Sequence, residues 1–105
     1  EFGGKNRSSG KKNVEYRRTD YFGADLRKIK LRGADLRGSC LVAANLSGSD
    51  LTNADLIGAD MRDANISGAD LSQSIFLTQM QINSARGDSD TKLPKLLIRP
   101  EHWSK

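Results

Sequence analysis

The chain has one cysteine, one histidine and two prolines in 105 residues, and aromatic side chains make up only 6% of it. A single cysteine, Cys40, cannot close an internal disulfide, which fits a reducing compartment, and the cytoplasm is the expected location. Cys40 and His102 stand alone in their kinds, so neither a Cys/His metal cluster nor a nucleophile and base pair can be assembled from them. No catalytic residue, metal or cofactor is expected. Apolar residues are 36% of the total, too few and too small for a conventional core of large side chains. The apolar runs are far too short to span a bilayer, and the opening EFGGKNRSSGKK has no apolar stretch of the kind a secretory leader needs. No membrane partner is expected.

An excess of one charge is also lacking where a binding wall would need it. The net charge is +4, but residues 1–20 carry six Lys/Arg against three acids, residues 21–78 six against seven, and residues 79–105 five against three. The basic excess therefore sits at the two ends, and the middle is close to neutral.

That middle is repetitive. Aligned in fives from Val14 it reads VEYRR TDYFG ADLRK IKLRG ADLRG SCLVA ANLSG SDLTN ADLIG ADMRD ANISG ADLSQ SIFLT, thirteen pentads ending at Thr78. The third position is Tyr16, Tyr21, Leu26, Leu31, Leu36, Leu41, Leu46, Leu51, Leu56, Met61, Ile66, Leu71 and Phe76, always large and largely apolar. The first is Ala, Ser or Thr in eleven of thirteen, Val14 and Ile29 being the exceptions. On a helix, five residues advance about 500°, so the leucines would spiral over every face. On a flat strand an odd period sends alternate leucines to opposite faces. Only a chain that turns a corner every five residues keeps them all inside. Positions one and three then face inward, position two faces out, and positions four and five make the corner. The period by itself allows three sides or four.

The units ADLRG, ANLSG and ADLIG resemble the pentapeptide-repeat proteins over residues 14–78. That resemblance implies four pentads per coil and a right-handed quadrilateral β-helix, an all-β solenoid of about three coils. With the polar, Gly- and Lys-rich residues 1–13 expected to be flexible, the chain divides into that N-terminal segment, the β-helix at 14–78, and a capping helix with a tail at 79–105. The stretch FLTQMQINSARGD, followed by T-x-L-P and R-P-x-H-W, is similar to the C-terminal tail of certain bacterial members. Stacking every twenty residues predicts core columns Tyr16, Leu36, Leu56, Phe76; Tyr21, Leu41, Met61; Leu26, Leu46, Ile66; and Leu31, Leu51, Leu71.

A stack roughly 16 Å tall, at about 4.8 Å per rank, has two open ends that must be covered. Thr78 and Gln81 form a T-x-x-Q capping box, which predicts a helix over residues 79–86 with Gly87 as its terminating residue. The two prolines of TKLPKLLIRPEHW prevent a long helix there, and Leu93, Leu96, Leu97, Ile98 and Trp103 are expected to lie across the last coil.

Other motifs carry bland readings. The N-x-S sequons at Asn45 and Asn65 follow from the repeat, and that at Asn6 is read as coincidence too. Asp35 and Asp55 share a column with Glu15, and Asp50 and Asp70 share one with Lys30, but a flat outer face has no cleft to exclude water from a carboxylate pair. Asp50→Ala is accordingly expected to cost little. Arg27, Arg32 and Arg37 lie on successive sides and form a belt, which cannot grip one duplex face. Arg17 and Arg37, with Lys11, Lys12 and Arg18, gather charge near the N-terminal end, yet nucleic acid is not the expected partner. Arg86-Gly87-Asp88 spells an adhesion tripeptide whose glycine is already assigned to the helix end.

The resulting expectation is a non-catalytic scaffold that binds another protein through its flat outer faces or its capped end, with a β-helix end as the place where a homodimer would form. The resemblance implies an alternative, because some members mimic duplex DNA, bind DNA gyrase and protect it from poisons. The near-neutral repeat and the short stack both depart from that pattern.

Overall fold

The computed structural model describes residues 17–104. Tyr16 and the segment before it lie outside the described residues, as do the predicted flexible segment 1–13, Val14 and Glu15. Parallel bridges join Asp20 to Cys40, Asp25 to Asn45, Lys30 to Asp50 and Asp35 to Asp55, and the same spacing of twenty repeats through Cys40–Asp60, Asn45–Asn65, Asp50–Asp70 and Asp55–Ile75. Twenty residues per coil means four pentads per coil, so the cross-section has four sides.

The corners explain the fifth position. Arg18, Gly23, Lys28, Gly33, Gly38, Ala43, Gly48, Asn53, Gly58, Asp63 and Gly68 all have positive φ, between 53° and 71°. Each follows a position-four residue, and nine of them, all but Arg18 and Lys28, lie in a turn closed by the next first-position amide, as in Ala34 N–H to the Leu31 carbonyl at 3.0 Å. A tight turn with positive φ at its third residue favours glycine, and six of these eleven corners use it.

One pentad shows how completely the backbone is satisfied. In residues 44–48, Ala44 N–H donates to Leu41 O (3.0 Å), Asn45 N–H to Ala24 O of the preceding coil (2.8 Å), and Leu46 N–H to Asn65 O of the following coil (2.7 Å). Ser47 N–H donates to the Asn45 side chain at 3.1 Å. Gly48 N–H reaches Ser67 O at 2.9 Å. All five donors are used without a continuous strand, which answers the requirement that buried amides be paired.

Inside, Leu26, Leu31, Leu36, Leu41, Leu46, Leu51, Leu56, Met61, Ile66 and Leu71 are buried, and Ala34, Ala44, Ala54, Ala59, Ala64 and Ala69 fill the space beside them. Burying each large side chain is worth about 1.5–3 kcal/mol. Where serine replaces alanine its hydroxyl finds a carbonyl: Ser39 donates to Leu36 O and Ser49 to Leu26 O. Tyr21 is only partly buried against this core.

Phe76 does not join the ladder. Its φ is +56°, which turns the ring outward to 66% exposure, and Leu77 is the buried residue instead. The chain is leaving the pentad path after Ile75, and the reversed backbone exchanges which of the two neighbours faces in.

The helix α1 is Gln79–Ser84, with Thr78 as N-cap and the reciprocal Thr78/Gln81 bonds of a capping box. It stops short of the predicted residue 86, and Gly87 does not terminate it. Ala85 is already extended, because Arg86 pairs with Asn65 through Ile66 N–H to Arg86 O and Arg86 N–H to Ala64 O, both at 2.7 Å. These are the bonds of a position-two residue, and they place Gly87 at position three, where the ladder would carry a leucine. Lys92 repeats the arrangement over Asp70. The spacing has grown to 21 and then 22 residues, so stacked pairing continues after the pentad motif has ended.

Trp103 occupies the space that Gly87 leaves. It is buried, and a Cβ on Gly87 would lie 2.8 Å from its ring. Its Nε1–H donates to Ala85 O at 3.1 Å, the carbonyl that in an interior coil accepts from the next coil. Leu93 and Leu97 pack partly against the core, whereas Leu96 and Ile98 are exposed and do not cover the last coil. The backbone N–H and C=O of Ile98 are instead bonded to the Gln79 side chain, so that stretch is held by its main chain and its side chains are left outside.

Candidate interaction surface

Position two is where the wall meets solvent, and its residues have structural work. The side-chain Oδ1 of Asp20, Asp25, Asp35, Asn45, Asp50, Asp55, Asp60, Asn65 and Asp70 accepts the N–H two residues on, the amide of position four. A short side chain with an oxygen at that distance closes an Asx turn, which is why Asp and Asn alternate freely there. The sequence reading missed this second role. The signal was present in the preference for Asp or Asn at nine of the thirteen outward second positions, where mere solvation would admit Glu, Lys and Gln as readily.

Position four completes the neutralisation. Arg27 forks onto Asp25 with two bonds of 2.8 Å, Arg37 onto Asp35 at 2.8 and 2.7 Å, and Arg62 onto Asp60. Arg32 reaches Asp50 at 3.0 Å, and Arg17 reaches Asp35 at 2.9 Å. The belt of arginines is thus committed to the repeat's own carboxylates, and the Asp columns are committed to turns and arginines. Neither is arranged as a free basic stripe or as an exposed acidic row.

These bonds hold the carboxyls below their ordinary range. The Arg27 side chain does so for Asp25, Arg37 for Asp35, the Thr52 hydroxyl for Asp50, Arg62 for Asp60 and the Ser72 hydroxyl for Asp70. A carboxyl whose folded pKa is depressed stabilises the fold above its unfolded value and loses that contribution as pH falls through the folded one. With 3.8 as the ordinary value, the melting temperature is expected to be level from neutrality to about pH 5 and to fall below about pH 4. Thermal melts across this range check it, and a melting temperature unchanged down to about pH 2 would contradict the pairing.

The turn role also revises the expected cost at Asp50. Its carboxylate accepts from Thr52 N–H at 3.0 Å, from the Thr52 hydroxyl and from Arg32. Thr52 is itself buried. Asp50→Ala is expected to lose about 1–2 kcal/mol because the Thr52 amide is left without its acceptor. Asp50→Asn keeps that oxygen and is expected to lose less than half as much. Urea midpoints of the two variants measure the difference.

The remaining candidates are dispersed. Cys40 is half-buried in the column between Asp20 and Asp60, and His102 is exposed beside Trp103 at the far end of the tail. Among the described residues no group of three His, Cys, Asp or Glu is placed to hold a metal ion, and no helix is long and apolar enough to cross a membrane. Asp88 of the Arg-Gly-Asp triplet accepts from Gly68 N–H at 3.0 Å and Asp90 N–H at 2.9 Å, so its carboxylate serves the last corner.

A coil of four five-residue sides with inward leucines defines a β-helix solenoid. Residues 39–76 match the family described as pentapeptide repeats, in eight copies. Two solved structures share the fold. One is the pentapeptide repeat protein alr5209 from Nostoc PCC 7120, with a TM-score of 0.54 and 27% identity over 80% of this chain and 77% of that one. The other is HetL from Nostoc sp. strain PCC 7120, a pentapeptide repeat protein involved in heterocyst differentiation regulation, with a TM-score of 0.55 and 25% identity over 83% of this chain and 36% of that one. The Bacillus subtilis (strain 168) protein YybG is 63% identical over 30 residues, 29% of this chain, and the chain spans 11% of YybG's length. Residues 39–76 thus carry the repeats of the pentapeptide family, and the solved pentapeptide repeat proteins that share the fold make the solenoid a right-handed β-helix.

Proposed function

We propose that this chain is a non-catalytic scaffold that binds another protein through its outer walls or its closed C-terminal end, in the cytoplasm. The observation that carries this reading is that the wall's Asp and Arg side chains are spent on turns and on one another. A wall so built is rigid and locally neutral, suited to shape recognition and without a group left poised for chemistry. In the same reading α1 and the Trp103 tail cap the solenoid. Gln81 supports this, since its side-chain amide donates to Leu56 O and Ala59 O at 2.9 and 3.0 Å and so covers carbonyls at the end of the ladder.

The gyrase-binding alternative requires rows of unpaired negative charge, and the Asp25–Arg27, Asp35–Arg37 and Asp60–Arg62 forks weigh against it. The chain is expected neither to inhibit gyrase supercoiling nor to relieve a gyrase poison at micromolar concentration. Supercoiling assays with and without the poison test this, and potent, salt-sensitive inhibition would replace the scaffold reading. Capture of a partner from the source cell by the intact gene product, repeated with bulky substitutions on each wall in turn, tests the scaffold reading directly. Binding that is lost on one wall only is expected.

A further inference from the structure

The four walls are not alike. On three of them the later ranks present Asp, Asn, Ser, Thr and Arg at positions two and four, with Cys40 and Val42 as mild exceptions. The wall of residues 34–38, 54–58 and 74–77 departs from this pattern: position four runs Arg17, Arg37, Ile57, and position two runs Asp35, Asp55, Ile75. Ile57 is 45% exposed, Ile75 41% and the outturned Phe76 66%. Among the described residues these are three of the four exposed large apolar side chains on the pentad walls, Phe22 being the other, so they form a cluster on one side.

The earlier half of the same wall carries three arginines, Arg17, Arg18 and Arg37, against the carboxylates of Asp35 and Asp55, and Arg37 also approaches Asp55 at 3.7 Å. Arg17 and Arg37 both bond to Asp35, whose side chain is only 13% exposed while theirs are 44% and 43%. The carboxylate lies behind the two guanidiniums. Arg18, at the adjoining corner, takes a positive φ of 53° where glycine is the usual choice, and its Cγ lies 3.5 Å from the point a Cβ on Gly38 would occupy. Arg17, Arg18, Arg37, Gly38 and Ile57 line an open notch of about 250 Å³.

We infer that this wall docks a short segment of a partner protein in which acidic side chains are followed by apolar ones, the acids on Arg17, Arg18 and Arg37 and the apolar residues on Ile57, Ile75 and Phe76. The inference rests on the scaffold reading and deepens it by naming the wall and the partner's chemistry. Charge complementarity selects the acids, and the adjoining apolar cluster selects a polypeptide over a nucleic acid or a free anion. Three ranks at about 4.8 Å extend roughly 14 Å, the reach of an extended segment of about four or five residues.

Three labelled synthetic peptides of equal length test this by fluorescence anisotropy: one acidic then apolar, one with lysine replacing its acids, and one with serine replacing its apolar residues. Only the first is expected to bind saturably, with amide shift changes confined to residues 36–38, 56–58 and 75–77. Ile57→Ser and Ile75→Asp each install a residue type that the other walls carry at those positions, so the fold is preserved. Each is expected to weaken binding about ten-fold, as is Arg18→Gly. Absence of saturation by about 1 mM, equal binding of the three peptides, or shifts on another wall would overturn the inference. So would self-association abolished by Ile57→Ser in sedimentation, which would make a second copy the occupant. If a captured cellular partner ignores Ile57→Ser and Ile75→Asp but is lost by substitutions on another wall, this inference fails and the scaffold reading stands.

Discussion

Leu51→Ala is expected to lower the unfolding free energy by about 2–5 kcal/mol. Leu51 has no exposed surface and lies between Leu31 and Leu71 in its column, with a coil packed on each side. Both neighbours are held at fixed spacing by the backbone ladder, so the walls cannot collapse into the space a missing isobutyl group leaves. A solenoid of few coils also has few interfaces over which to spread the loss. The matching comparison is Phe76→Ala, at the same position of its pentad. There the ring is 66% exposed, and the expected loss is within about 0.5 kcal/mol. Denaturant midpoints and slopes for the two variants decide the matter. Similar losses would mean that Phe76 is buried in solution and that the ladder runs unbroken to the end of the repeat.

Trp103→Ala is expected to cost about 3–5 kcal/mol. The indole is buried, fills the position where Gly87 supplies no side chain, and gives its N–H to Ala85 O. Losing it opens a cavity and leaves a carbonyl of the last paired segment without its partner. The native fluorescence is expected to be blue-shifted. Gly87→Ala should shift it to the red while α1 remains folded, because a Cβ 2.8 Å from the ring forces the indole off the coil. A water-like emission maximum in the unaltered protein would show that the tail does not close the end.

The solenoid was legible because its determinant is local and repeated. A large apolar residue at every fifth place, small residues two before it and turn formers two after it allow no helix and no flat sheet. The interior columns from Leu36 and Leu56 to Leu31, Leu51 and Leu71 follow once four sides are granted. What was not legible lies where repetition ends. At Phe76 a single dihedral angle decides which of two adjacent apolar residues enters the core, and both choices suit the sequence. Gly87 read as a helix terminator because glycine often is one, and nothing nearby in sequence announced a tryptophan sixteen residues later that needs its missing side chain. Leu96 and Ile98 read as covering residues on hydrophobicity alone. The Gln79 amide holds that stretch by its backbone and leaves them outside.

The sequence by itself determined the period, the inward ladder, the near-neutral middle and the capping box at Thr78, because each depends on residues within a few positions of one another. The tertiary structure alone decided which position-two acids are also shared between coils, since Asp35 and Asp50 take Arg17 and Arg32 from the preceding coil as partners. It alone decided that pairing continues through Arg86 and Lys92 at spacings of 21 and 22 residues. It also brought Ile57, Ile75 and Phe76 beside Arg17 and Arg37 on one wall. Contacts between coils join residues about twenty apart, and only the closed turn of the solenoid sets which of them meet.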